Sequence, residues 1–149
     1  MPPLNPDLPG RVFPATSYLV GREKIREFAR AVRASDPIHH DVDAARAAGF
    51  ADVVAPTTFT TVVQNPAIVQ LLETPGTGLV LHQMVHGSEK IEHHRPIVAG
   101  DDLATTLTIT DVTERAGSSI LSTVCEISDT AGDPVATVTS TLLHRGEDA

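Results

Sequence analysis

From residue 103 onward the sequence alternates with a period of two, and this restricts the fold more than any other feature of the chain. Leu103, Thr105, Leu107 and Ile109 interleave with Ala104, Thr106, Thr108 and Thr110, and Val135 to Leu143 is similarly rich in Val and Thr. Successive side chains of a strand point to opposite faces, so each run sends one set of residues to a core and the other to a second surface. Gly117-Ser118 and Ala131-Gly132-Asp133-Pro134 interrupt the runs with the composition of hairpin turns. Consecutive strands are therefore expected to pair antiparallel.

The first half of the chain reads differently. From Gly21, the apolar positions Ile25, Phe28, Ala29 and Val32 recur at helical spacing among Arg22, Glu23, Lys24, Arg26 and Glu27. This predicts an amphipathic helix ending around Ala34, because Pro37 disfavours a helical Asp36. Asp41 to Ala48 reads as a short helix closed by Gly49. Thr57 to Leu72 carries Phe59, Val62, Val63, Ile68, Val69, Leu71 and Leu72 on more than one side, the pattern of a helix enclosed by other elements. Pro66 within it removes a backbone donor, which predicts a kink or a restart at Asn65. Pro2, Pro3, Pro6 and Pro9 make residues 1–15 a proline-rich arm, ordered or loose, with organisation beginning near Thr16. Strand character takes over after Pro75, Gly76 and Gly78. Helices first and strands afterwards give an α+β domain in which an antiparallel sheet wraps a central helix.

The 149 residues suit a single domain with its own core. Aromatic residues make up only 3% of the chain, so that core is assembled from Val, Leu, Ile and Ala. Cys125 is the only cysteine, which rules out an intramolecular disulfide and fits a reducing, cytoplasmic setting. No stretch approaches the roughly 20 apolar residues of a membrane span, and no secretory leader is read at the N-terminus. A net charge of -8 disfavours nucleic acid and anionic bilayers as partners. Lys90 and Arg95 are the local cations able to receive an anionic substrate, or else are solvated strand residues.

Chemistry is expected in Ser35-Asp36-Pro37-Ile38-His39-His40-Asp41, an ionisable cluster between two predicted helices. A histidine titrates near neutral pH and can move a proton, and a neighbouring carboxylate can orient it or hold a water. The plainer reading makes Asp36 a turn residue accepting backbone hydrogen bonds and His39 a filler of a polar gap. His39-His40 and His93-His94 suggest metal ligands, but no third ligand has diagnostic spacing and no metal site is expected. Cys125 reads as a small buried residue. His82 and His86 read as neighbours on one sheet face.

Asp36 to Asp41, followed by Ala44, Ala48-Gly49-Phe50 and Ala55-Pro56-Thr57-Thr58-Phe59, resembles the hydratase motif of the MaoC-like proteins, G-D-x-N-P-L-H-x-D with a downstream G-F-x-x-x-I-x-H-G. Glu92 to Asp101, containing Arg95-Pro96-Ile97-Val98-Ala99-Gly100-Asp101, is similar to the family's F-x-R-P-V-x-x-G-D, and Gly132 to Leu143 fits its ending. The likeness covers most of Thr16 to Arg145 and is strongest to small actinobacterial proteins resembling the substrate-binding subunit of mycobacterial (3R)-hydroxyacyl-ACP dehydratase.

The resemblance implies a single hot-dog domain that handles 3-hydroxyacyl or trans-2-enoyl thioesters of CoA or acyl carrier protein. It implies a homodimer, or a heterodimer with a second hot-dog subunit. It places the catalytic histidine on His39, the family asparagine on Asp36 and the oxyanion-donating amide on Thr57. The catalytic aspartate falls on Ala34, so the usual Asp/His pair is incomplete. No cofactor is expected, since hydrogen bonds suffice to stabilise an enolate. Three activities remain open: an active hydro-lyase, a catalytically silent acyl-binding subunit, and a thioesterase using Glu73 near the end of the central helix.

Overall fold

The computed structural model describes residues 4–146. Its elements run β1 (Thr16–Leu19), α1 (Arg22–Ala31), a 3₁₀ turn (Pro37–His39), α2 (Val42–Ala47), a second 3₁₀ turn (Thr57–Phe59), α3 (Thr60–Glu73), a third (Leu81–Gln83), β2 (Met84–His93), β3 (Asp102–Arg115), β4 (Ser118–Asp129) and β5 (Pro134–Arg145). The strands form one antiparallel sheet in the order β1-β3-β4-β5-β2. The inner face of the sheet carries Leu103, Leu107, Leu121, Cys125, Ile127 and Val138 in the core, while Thr106, Thr108, Ser122 and Thr139 look outward. This is the division that the period-two pattern predicts.

Helix α3 lies against this concave face, packed on β1 and β3. Its buried residues Thr60, Val63, Gln64, Ala67 and Leu71 follow the three- and four-residue spacing of one helix face. The helix runs through Pro66 without a restart at Asn65. Packing of this face offsets the cost of one missing backbone hydrogen bond. Phe59, fully buried, meets Phe28 and Tyr18 edge to face with centroids 5.4 and 6.3 Å away.

Several boundaries differ from the sequence reading. Helix α1 stops at Ala31 rather than near Ala34, because the chain reverses through Arg33, at φ 59°. Arg33 N–H donates to Arg30 O at 3.2 Å and Ala34 N–H to Ala29 O at 2.8 Å. These two bonds form a Schellman cap with arginine where glycine is usual. The β3–β4 turn is Ala116-Gly117, both at positive φ, with Ser118 already in β4. That is the backbone of a type I′ hairpin. Strand β2 begins only at Met84, so His82 sits on the preceding 3₁₀ turn and does not share a strand with His86.

The N-terminal arm is ordered over its described residues: Leu4, Leu8 and Phe13 are core members, and Phe13 N–H donates to Leu107 O at 2.9 Å. Order therefore begins well before Thr16.

Candidate active site

Proline at 37 suits the first position of a 3₁₀ turn, and Asp36 caps that turn by accepting from Ile38 N–H at 3.1 Å. Asp41 caps α2 in the same way, accepting from Ala44 N–H at 3.0 Å, and Gly49 leaves that helix at φ 94°. Between these caps the chain presents His39 and His40 side by side.

Each ring is spent on a backbone carbonyl. His39 Nδ1 lies 2.6 Å from Val54 O, and His40 Nε2 lies 2.7 Å from Ala34 O. A carbonyl oxygen only accepts, so each contacting nitrogen carries the proton. Neutral His39 is thereby held as the Nδ1–H tautomer, leaving Nε2 unprotonated and able to take a proton. With one nitrogen of each ring committed in this way, the pair is not arranged as a chelate. Among the described residues no group of three or more His, Cys, Asp or Glu is gathered to hold a metal ion.

Residues 53–55 connect this loop to the start of α3. Val54 N–H donates to Ile38 O at 2.9 Å, Val54 O receives His39, and Ala55 N–H donates to Ile97 O at 2.8 Å. Pro56 and Thr57 follow directly. Thr57 opens the turn leading into α3, where the first amides have no intrahelical acceptor. The non-glycine residues at positive φ among those described are Arg33 and Ala116, so Thr57 occupies this position without left-handed strain. Its own carbonyl is bonded to His93 Nε2 at 2.8 Å.

Ala34, His39, Val54, Thr57, His93 and Ile97 line one cavity of about 550 Å³. Its walls combine aliphatic side chains with an imidazole and the start of a helix. Ala34 lines this space, with its backbone held on both sides by Ala29 O and the His40 ring. Asp36 is exposed, engaged in its cap, and does not line the cavity. Sequence reasoning thus treated Asp36 and His39 as neighbours in function, whereas the fold sends their side chains to different tasks.

Arg95 borders the cavity but is committed elsewhere. Its guanidinium grips Asp101 at 2.8 and 3.2 Å and approaches Asp129 at 3.6 Å. Hydrogen bonding to Asp101 holds the arginine pKa above its ordinary value. Asp101 also accepts from Val98 N–H at 2.9 Å, so the Arg95–Asp101 turn is a closed structural unit. Lys90 is exposed on β2. Glu73 ends α3, exposed and away from this cavity. Burial pushes the Cys125 thiol up to about 12, consistent with an inert core residue.

In the sequence His93 and His94 offer no role beyond a metal pair without a third ligand and a place in the family-like segment Glu92 to Asp101. In the fold His93 ties β2 to the Thr57 turn, and His94 Nε2 lies 3.0 Å from Thr137 Oγ1. The sequence reads them as neighbouring strand residues, whereas β2 ends at His93 and His94 lies just beyond it.

An antiparallel sheet around a central helix, with a histidine-bearing turn lining one cavity with the residues that lead into that helix, defines a hot-dog domain of the dehydratase and hydratase type. The chain belongs to the family described as the FAS1-like dehydratase domain region, which matches residues 7–138. It is 51% identical to a UPF0336 protein of Clavibacter michiganensis subsp. michiganensis, over 99% of each chain. Among solved structures, it is similar to a C-terminally truncated HadBC (3R-hydroxyacyl-ACP dehydratase) complex from Mycobacterium tuberculosis, with a TM-score of 0.83, 31% identity, and coverage of 92% of this chain and 97% of the other. A MaoC-like dehydratase matches at TM-score 0.83 and 35% identity, covering 95% of this chain and 43% of that one.

Proposed function

We propose that this protein binds (3R)-3-hydroxyacyl or trans-2-enoyl thioesters in the Ala34–His39–Thr57 cavity, as a member of a dehydratase/hydratase pair or as a weak hydratase by itself. The observation that carries this reading is the tautomer lock on His39. One ring nitrogen is held by Val54 O, leaving the other as a base in the cavity that Thr57 also lines. In the reaction, His39 moves the proton at the substrate Cα while the Thr57 N–H stabilises the enolate oxygen. Dehydration also needs a group to handle the departing water, and at the family's carboxylate position this chain has the methyl of Ala34. A second hot-dog chain bearing an intact Asp and His supplies the complete machinery in this reading.

The edge of the sheet supports such pairing. Strand β2 is ten residues long and, among the described residues, is paired only on its β5 side, and Val85 and Leu81 are 46% and 68% exposed. A long unpaired edge with apolar neighbours favours association. The similarity to a two-subunit dehydratase complex points the same way.

The test is hydration of crotonyl-CoA by the purified chain, alone and with the partner that co-purifies from the native host. Low activity alone and high activity with the partner is the expected result. Family-like rates for the isolated chain, unaffected by His39→Ala, would refute the mechanism.

A further inference from the structure

A second cavity, of about 350 Å³, lies further along α3 and is lined by Thr61, Gln64, Ile68, His86, Glu89 and Ser140 among others. Its polarity is unexpected beside a hydrophobic core. Glu89 on β2 pairs with Ser140 on β5, and Ser140 with Thr123 on β4, so three polar residues form one row across the inner face of the sheet. Gln64 stands above this row. The Glu89 carboxylate accepts from Gln64 Nε2 at 3.2 Å and from Ser140 Oγ at 3.4 Å, and it lies 3.2 Å from His86 Nε2.

Bonding to a carboxylate orients the Gln64 amide, because only its NH₂ group can donate. Its oxygen is then the group left over. Gln64 is 5% exposed, and its Oε1 has no hydrogen-bond partner among the described residues; nor has Thr123 Oγ1, on a residue 1% exposed. Buried acceptors without donors are costly and uncommon. An alkyl chain entering this cavity cannot satisfy Gln64, whereas a hydroxyl can donate to it.

The two cavities lie along one face of the α3 segment. Thr57, Thr61, Gln64 and Ile68 lie at helical spacing on one face of the α3 segment, and β2 is tied to that face by His93 to Thr57 and by Glu89 to Gln64. Gln64 follows Thr57 by seven residues through the 3₁₀ turn and the first turn of α3, a rise of roughly 10 to 12 Å, which an extended chain of about eight carbons approaches. We propose that the Gln64–Glu89–Ser140 cavity is a polar subsite for a hydroxyl group carried far from the thioester, so that the preferred acyl group is hydroxylated near its distal end. This inference rests on the acyl-thioester reading of the first cavity.

Calorimetric titration of the full chain with octanoyl-CoA and with 8-hydroxyoctanoyl-CoA tests the proposal. The hydroxylated ligand is expected to bind at least roughly tenfold more tightly, as one hydrogen bond to an otherwise unpaired buried group warrants. Gln64→Met should remove that preference while retaining octanoyl-CoA binding. If this variant fails to fold, Ser140→Ala serves as the second probe, and the wild-type comparison is decisive by itself. Equal affinities in the wild type, or tighter octanoyl binding, overturn the polar subsite and leave the acyl-thioester reading intact. Absence of binding by both ligands refutes that reading and the subsite with it.

Discussion

Replacing Ala34 with aspartate should convert the isolated chain into a better hydratase. The backbone at this position is already fixed: Ala34 N–H is held by Ala29 O at 2.8 Å and its carbonyl receives His40 Nε2 at 2.7 Å. A new carboxylate is therefore placed at the border of the cavity that His39 lines, without a loop first having to order. Ala34 is only partly buried, so the added charge keeps some hydration and escapes the large penalty of a dry interior. One positioned acid or base contributes on the order of 10²- to 10⁴-fold, equivalent to about 3 to 5 kcal/mol of barrier. Crotonyl-CoA hydration by the A34D chain, followed through loss of enoyl-thioester absorbance, should rise by a factor in this range. In the A34D background, His39→Ala should abolish most of the gain, since the two groups act as one unit. Asp36→Ala should leave the gain largely intact, because Asp36 serves as a turn cap. A folded A34D protein no faster than wild type would refute the argument. So would a wild type working at full family-like rates whose activity is unchanged by Asp36→Ala.

Light scattering at micromolar concentration should show a dimer, as the unpaired β2 edge requires; a monomer would count against that pairing. Phe59→Ala should cost about 3–5 kcal/mol in denaturant unfolding, because the ring is fully buried between α1 and β1 contacts and anchors the Thr57 turn. His144 should make stability fall on acidification. Burial, and less strongly the nearby His82, push its pKa below the ordinary 6.5 against the opposing pull of Glu114, and its Nε2 lies 3.2 Å from Val80 N–H as acceptor. The neutral form is thus favoured in the fold, so this contribution is complete above the unfolded pKa of 6.5 and is lost as pH drops through 6.5 towards the lower folded value. The unfolding midpoint between about pH 7.5 and 5.5 should decline less in His144→Gln than in wild type; equal declines would remove His144 as the cause.

The alternation of residues 103–110 and 135–143 was enough to establish strands with two distinct faces, because a two-residue period has one geometric meaning, and the turn residues between the runs indicated their antiparallel pairing. The α1 and α2 patterns located two helices, and Asp41 and Gly49 marked the ends of the second through their own backbone preferences. Pro66 misled because a local penalty was weighed without the packing of Val63, Ala67 and Leu71 that outweighs it. The end of α1 was misplaced because a left-handed Arg33 has no sequence signal; only the bonds to Ala29 and Arg30 reveal it. At the candidate site, His39 and Thr57 were named through the family resemblance, but their lining of one cavity depends on the segment around Val54 that joins the two loops. The separation of Asp36 from the cavity depends on which way a turn faces. The Glu89–Ser140–Thr123 row was beyond sequence reading altogether, since its members lie on three strands and become neighbours only through register. Local chemistry and periodicity act within a few residues, so the chain alone determines its elements and their faces. Long-range pairing and packing decide which of those faces meet, and so decide where a binding site lies.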